Sequence, residues 1–426
     1  MTTLNRLSAT EAARQVAAGK IKAEELVAAC LERIEARDKE VQAWVHCDPE
    51  AALAQARAVD QRGERGLLAG IPVGVKDVID TADMPTQCNS EIYLGYRPRA
   101  DAACVALVRR AGGIILGKTV TTEFASRVPS PTRNPHNLEH TPGGSSSGSG
   151  AAVADFMVPL AFGTQTGGST IRPAAYCGIV GYKPSFGTIN CAGLKHFAES
   201  LDTIGVMART IEDCALLVHA VSARPPLNLN AKPSRAPRIG FCHTSRWKDA
   251  SPATQSLLEQ SAIALARRGA AVRNLTLPDE FDRLYEAQIL IMNYEAARAL
   301  AWEQANHKDL LSEHLQTTLE KYGAMPRESY SEAMRHAREC RARFSELFAE
   351  VDALLTPSAP DEAPKGISST GNSLFNRNWT LLGAPCVTIP GGCGPQGLPL
   401  GVQIVGDYDT DARVLECAEW VRQALE

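Results

Sequence analysis

Thr141 to Arg172 reads TPGGSSSGSGAAVADFMVPLAFGTQTGGSTIR, and the rest of the chain is organised about it. Two glycine-serine clusters, Gly143–Gly148 (GGSSSG) and Gly167–Ser169 (GGS), flank an apolar segment. Ala151 to Phe162 carries a single charge, Asp155, so it is expected to be buried and to fix both clusters in space. Glycine lets backbone N–H groups come close to a ligand. Serines beside such glycines are placed as nucleophiles facing a hole lined by amides. A flexible linker has a similar composition. Linkers, however, are not followed at once by a dozen core-like residues and a second Gly-Gly-Ser.

Upstream, residues 1 to about 60 read as helical. Ser8-Ala-Thr-Glu11 is a capping box opening a first helix that Gly19 ends, and Leu26, Cys30, Ile34 and Val41 stripe a second that ends near Asp38. Leu68 to Asp77 is a short apolar strand running into Lys76. A lysine is rarely buried without a purpose; read in isolation, the segment pairs Lys76 with Asp77 or Asp80. Val105–Arg110, ended by Gly112-Gly113, and the strand Ile114–Gly117 give a β-α-β rhythm.

Downstream, Cys177–Gly187 is a strand and turn, Ile211–Ala220 a helix, and Arg224–Pro237 a proline-rich surface connection. Arg238–Cys242, Pro252–Arg268 and Ala271–Leu275 form a strand-helix-strand unit. Residues 281–350 are mainly helical and placed to cap the site. Val351–Leu355 and Leu400–Val405 return as strands, and Asp411–Leu425 is a closing helix. These elements predict an α/β fold in which one large mixed sheet is covered by helices. Residues 1–426 are then one domain: a helical arm (1–60), a catalytic core (61–222), and the remaining sheet with a helical cap (223–426).

Composition narrows the partners. The 426 residues are 44% hydrophobic and 22% charged, with formal net charge -4, an ordinary globular balance. No basic stripe suggests nucleic acid. No apolar run of some 18 residues suggests a membrane span. The start has no signal-peptide core, and the 12 cysteines form no C-x-x-C pair, so reduced thiols in the cytoplasm are the expectation.

Three constellations compete for the chemistry. Gly144-Ser-Ser146-Ser-Gly148 matches the nucleophile elbow G-x-S-x-G, but that motif needs a strand before it, and Asn134–Pro142 has two prolines there. His136 and His140 have the spacing of one helical face, yet Pro135 and Pro142 crowd them and no H-E-x-x-H is present. The third is a serine-serine-lysine arrangement. Gly70-Ile-Pro-Val-Gly-Val-Lys76-Asp, Gly143–Gly148, and Gly163-Thr-Gln-Thr-Gly-Gly-Ser169 running on to Pro173-Ala-Ala-Tyr-Cys-Gly178 occur in one order. Through them nearly the whole chain resembles the amidase signature family and, within it, is most similar to malonamidase.

The resemblance implies an amidase with Ser169 as nucleophile, Ser145 as bridging serine after a cis Gly144–Ser145 peptide, and Lys76 as base. It implies an oxyanion hole from the N–H groups of Thr166, Gly167, Gly168 and Ser169, and no metal or organic cofactor. A neutral lysine can serve as base where burial lowers its pKa. The chain departs from the common pattern at Gln165, usually aspartate, and at Arg172, which stands three residues past Ser169 rather than two. Without an aspartate partner, Arg172 is a ready clamp for a substrate carboxylate. The expected partner is a small-molecule amide, for instance a dicarboxylic acid monoamide; a homodimer is left open. The rival reading is the glutamine-amidase subunit of a multi-chain amidotransferase.

Overall fold

Eleven strands hydrogen-bond into one sheet in this computed structural model, which describes residues 4–63, 66–229 and 235–426. The strands are β1 (Trp44–Cys47), β2 (Pro72–Lys76), β3 (Ile114–Thr119), β4 (Leu160–Gln165), β5 (Val180–Lys183) and β6 (Thr203–Ala208). They continue as β7 (Arg238–Cys242), β8 (Ala271–Leu275), β9 (Ala353–Pro357), β10 (Cys386–Cys393) and β11 (Pro399–Val405). Their order is β1-β3-β2-β4-β6-β5-β10-β11-β9-β7-β8. Pairing is parallel at β3/β2, β2/β4, β9/β7 and β7/β8 and antiparallel elsewhere, so the sheet is mixed as expected. The central strands β2 to β6 are buried along their whole length, as strands covered on both faces must be.

Several expected elements differ in extent. The first 60 residues are helical at Ala9–Ala17, Ala23–Val41 and Pro49–Arg62, but Trp44–Cys47 leaves the helices to pair with β3 as an edge strand. Ser8 does cap the first helix, its hydroxyl accepting from the Glu11 N–H. The strand expected to stop at Gly117 runs on to Thr119 and takes Lys118 into the interior. The apolar block 151–162 divides into the end of a helix, Ser147–Ala154, and the start of β4. The connection 224–237 lies partly outside the described residues.

The GGSSSG cluster is built into the core. Its helix buries Ser147 to Val153, and its hydroxyls bond to the sheet: Ser149 Oγ donates to the Phe162 carbonyl at 2.8 Å and lies 2.7 Å from Thr119 Oγ1. Gly148 lets two backbones touch, since a Cβ there would stand 2.2 Å from the Ala43 carbonyl oxygen. Gly143 has φ +85°, and a Cβ on it would strike Pro173 at 2.8 Å, so the turn into the cluster requires glycine. Both strands and helices thus converge on one edge of the 141–172 stretch. There they leave an open cavity of about 530 Å³.

Candidate active site

Lys76 ends β2 with its side chain fully buried. Its Nζ lies 2.7 Å from Ser145 Oγ and 2.7 Å from Thr164 Oγ1. No carboxylate contacts it among the described residues; Asp77 instead faces Lys118 at 3.3 Å. Burial pushes the Lys76 amine down to about 7, with Asp202 opposing the shift and Arg172 adding to it. The expected pairing of Lys76 with Asp77 or Asp80 is therefore replaced by two hydroxyls. A hydroxyl can accept from an ammonium or donate to a neutral amine, so this environment holds either charge state.

Ser145 follows a cis Gly144–Ser145 peptide and is buried. Ser169 lies at the wall of the cavity and is only partly buried. Between β4 and Ser169 the backbone carbonyls are held from outside. Gln288 Nε2 donates to the Thr166 carbonyl at 2.7 Å, Thr380 Oγ1 to that of Gly167 at 2.8 Å, and the Arg172 N–H to that of Gly168 at 2.9 Å. In a planar trans peptide the N–H points opposite to the C=O. Fixing those three carbonyls therefore aims the N–H groups of Gly167, Gly168 and Ser169 the other way, and none of them donates to another described residue. Thr166 stands at the same wall, its hydroxyl donating to Asp202 Oδ1 at 2.5 Å.

Gln165 does not face Arg172. Its Oε1 accepts from the N–H groups of Thr170 (2.9 Å) and Ile171 (3.1 Å), where the short helix Ile171–Tyr176 begins, and its Nε2 donates to Thr380. Arg172 has no acidic partner among the described residues. One terminal nitrogen, Nη2, donates to the Gly144 carbonyl at 2.5 Å and to Thr370 at 3.2 Å, while its buried Nε bonds to nothing. Its desolvation brings the guanidinium down to about 10. Arg172 thus both lines the cavity and steadies the peptide that carries Ser145.

The two rival constellations come apart. Ser146 is fully buried and exchanges hydrogen bonds with the Thr164 backbone, accepting from its N–H at 3.1 Å and donating to its carbonyl at 3.3 Å. That hydroxyl is a structural bolt between cluster and sheet. His136 and His140 sit in a turn, His136 Nε2 lies 2.9 Å from the Cys177 carbonyl oxygen, and no metal-binding group of His, Cys, Asp or Glu occurs among the described residues.

Helices of the segment 281–350 do line the far wall of the cavity, as expected, but sequence reasoning did not single out which of their residues face it. Tyr285, Met292 and Asn293 come from the helix Leu284–Ala299, His314 from Glu313–Gly323, and Arg377 from the start of Arg377–Leu381. Gln288 and Thr380, which aim the N–H groups, also lie over 100 residues beyond Ser169 in the chain. None shares a motif with the glycine-serine clusters, so no local pattern marks them.

A family model described as Amidase matches residues 25–415. The chain is 32% identical to a glutamyl-tRNA(Gln) amidotransferase subunit of Chloroflexus aggregans over 98% of this chain and 96% of that one. A structure described as an amidase superimposes with TM-score 0.89 at 28% identity, covering 98% of this chain and 99% of the other. A 6-aminohexanoate cyclic dimer hydrolase complexed with substrate does so with TM-score 0.89 at 25% identity, covering 99% and 97%. With motif order, sheet and overall superposition in agreement, the chain belongs to the amidase signature family, enzymes that act on the C–N bonds of amides.

Proposed function

We propose that the chain hydrolyses a small carboxylated amide, such as a dicarboxylic acid monoamide, through an acyl-Ser169 intermediate. The observation that carries this is a fully buried lysine, near neutral pKa, whose partners are hydroxyls only. Neutral Lys76 takes a proton through Ser145 as Ser169 Oγ attacks the amide carbon. The N–H groups of Gly167, Gly168 and Ser169, with that of Thr166, hold the oxyanion. Ser145 returns the proton to the leaving nitrogen, ammonia departs, and water repeats the sequence to free the acid. The malonamidase likeness belongs to this reading.

Kinship favours a second reading, the ammonia-releasing component of an amidotransferase, because relatives so described align over nearly the whole chain. The chemistry up to ammonia release is common to both. Two observations favour the hydrolase. The alignment to the Chloroflexus aggregans protein spans 472 positions, so a chain of 426 residues leaves at least 46 of them empty. The cavity is lined by Arg127, Arg172 and Arg377 and by no Asp or Glu among the described residues. Glutamine carries an α-ammonium group that such a wall repels, whereas a dicarboxylic acid monoamide carries only the carboxylate it attracts. Ammonia release by the isolated chain is the test. Succinamate should be cleaved at least ten times faster, as kcat/KM, than butyramide or glutamine, roughly the 1.4 kcal/mol of one modest charge contact. Glutamine as the preferred substrate would hand the assignment to the amidotransferase reading.

A further inference from the structure

Arg172 accounts for one anion; the cavity holds more positive charge than one carboxylate needs. Arg377 is 2% exposed, and its Nε is buried with no hydrogen-bond partner. Among the described residues its contacts are neutral: Nη1 donates to Gln288 Oε1, and the guanidinium lies 5.6 Å from the Tyr285 ring centroid. No carboxylate among the described residues offsets it, although buried arginines are normally paired. Nη1 also stands 3.4 Å from where a Cβ on Gly167 would project, so the cation sits beside the loop that ends at Ser169. Exposed Arg127 lines the same cavity. Burial pushes Arg377 down to about 10, with Arg127 and Arg172 both adding to the fall. Packing like charges round an empty space is unfavourable unless an anion enters it.

We propose that Arg377, together with Arg127, forms a second anion subsite, so that the best-fitted substrate is an amide bearing two carboxylates, one for Arg172 and one for Arg377. This rests on the amidase reading above and narrows its substrate class. The cavity has the volume for such a molecule, since sites of about 300–1,000 Å³ take small organic ligands. A planar guanidinium offers the second carboxylate a two-pronged donor.

Arg377 has a rival role that the same contacts suggest. Through Gln288 it braces the Thr166 carbonyl and hence the adjacent N–H. A bracing residue affects every amide alike; a subsite residue discriminates among them. The experiment therefore measures kcat/KM for butyramide, succinamate and the terminal monoamide of propane-1,2,3-tricarboxylic acid, with zero, one and two carboxylates. Wild type should prefer the diacid amide to succinamate. Arg377→Gln should lose about 30-fold more on the diacid amide than on succinamate, the low end for breaking a close charge pair. Arg377→Lys, which keeps charge without the fork, should lose less, and it carries the test if the glutamine variant melts early. An equal loss on all three amides, or no diacid preference in wild type, would overturn the subsite. Calorimetric binding of propane-1,2,3-tricarboxylate to the Ser169→Ala protein separates the two proposals. If no amide is cleaved but this binding still depends on Arg377, the amidase reading falls and the subsite stands. Binding that ignores Arg377 removes the subsite whatever the turnover.

Discussion

Lys76 and Lys118 lie on neighbouring parallel strands, one register step apart, with Val75 opposite Lys118 and Lys76 opposite Thr119. Both are fully buried. Their surroundings differ in one respect that decides their chemistry. Lys118 Nζ is ringed by the Ile79 carbonyl (2.8 Å), the Pro85 carbonyl (3.2 Å), Thr86 Oγ1 (2.6 Å) and the Asp77 carboxylate (3.3 Å). Carbonyls and carboxylates only accept, so they suit an ammonium and keep it one. Lys76 has two hydroxyls, which suit either form. Burial lowers both amines, but at Lys118 a directly bonded carboxylate opposes the fall. A buried lysine is thus made a base or a strut by its acceptors, not by its depth.

The largest effect should come from the group the base serves. Ser169→Ala should cut kcat on the order of 10⁶-fold, the size of loss found when a serine nucleophile is removed, with the melting profile unchanged. A fluorophosphonate followed by peptide mass spectrometry should label Ser169. Label on Ser146 instead would mean that its bonds to Thr164 open in solution and that the elbow reading returns.

Lys76→Ala should lower kcat by roughly 10²–10⁴, as expected for loss of a general base. Near-normal turnover at neutral pH would dissolve the contrast between the two lysines. Stability gives the same contrast from the other side. Lys76 titrates near 7 when folded and near the ordinary lysine value of 10.5 when unfolded. The folded state therefore binds fewer protons between those limits, and stability rises with pH across that window. Below about pH 7 the penalty for burying the charge is complete. Lys76→Met should accordingly melt higher than wild type at about pH 6, by a margin that shrinks toward about pH 10.

Lys118→Met should do the reverse. Removing one member of a buried ion pair leaves Asp77 uncompensated and costs about 3–5 kcal/mol, read from urea unfolding. The acid limb of the activity profile should stay where it is in the folded fraction. A shift of that limb would mean that the two amines titrate together.

The sequence carried this comparison only in part. Three motifs in order pointed to Lys76, Ser145 and Ser169 through the family resemblance they carry, each within a short glycine-bearing stretch. Lys118 went unread since its strand, which runs to Thr119, was ended two residues early, at Gly117. Its acceptors Ile79 and Thr86 lie 39 and 32 residues away, where no period links them. The same limit explains the block 151–162, since a short apolar run reads equally as helix or strand. Trp44–Cys47 is a strand only because β3 offers it an edge. Gln165 was read through the arginine it was expected to release; in the fold it binds the start of the next helix instead. Arg377 follows no motif and is brought to the loop by the chain's last third.

The smallest effect is the most specific, because it asks which group titrates. Activity should rise with pH through about 7 as Lys76 loses its proton. Asp202 raises that value and Arg172 lowers it, so neutralising each should move the acid limb in opposite directions. Asp202→Asn removes a negative charge that favours the ammonium, so the limb should shift below about 7 and the variant should keep a larger share of its maximal rate on the acid side. Arg172→Gln removes a repelling positive charge, so the limb should shift above about 7. Neither shift should exceed about one unit, roughly 1.4 kcal/mol, because Lys76 touches neither side chain. Rate profiles on butyramide isolate the effect from carboxylate binding at Arg172. Shifts of opposite sign would tie the limb to a cation lying between those two charges. Shifts of the same sign, or a limb that neither variant moves, would assign the titration elsewhere and leave Lys76 without its role as base.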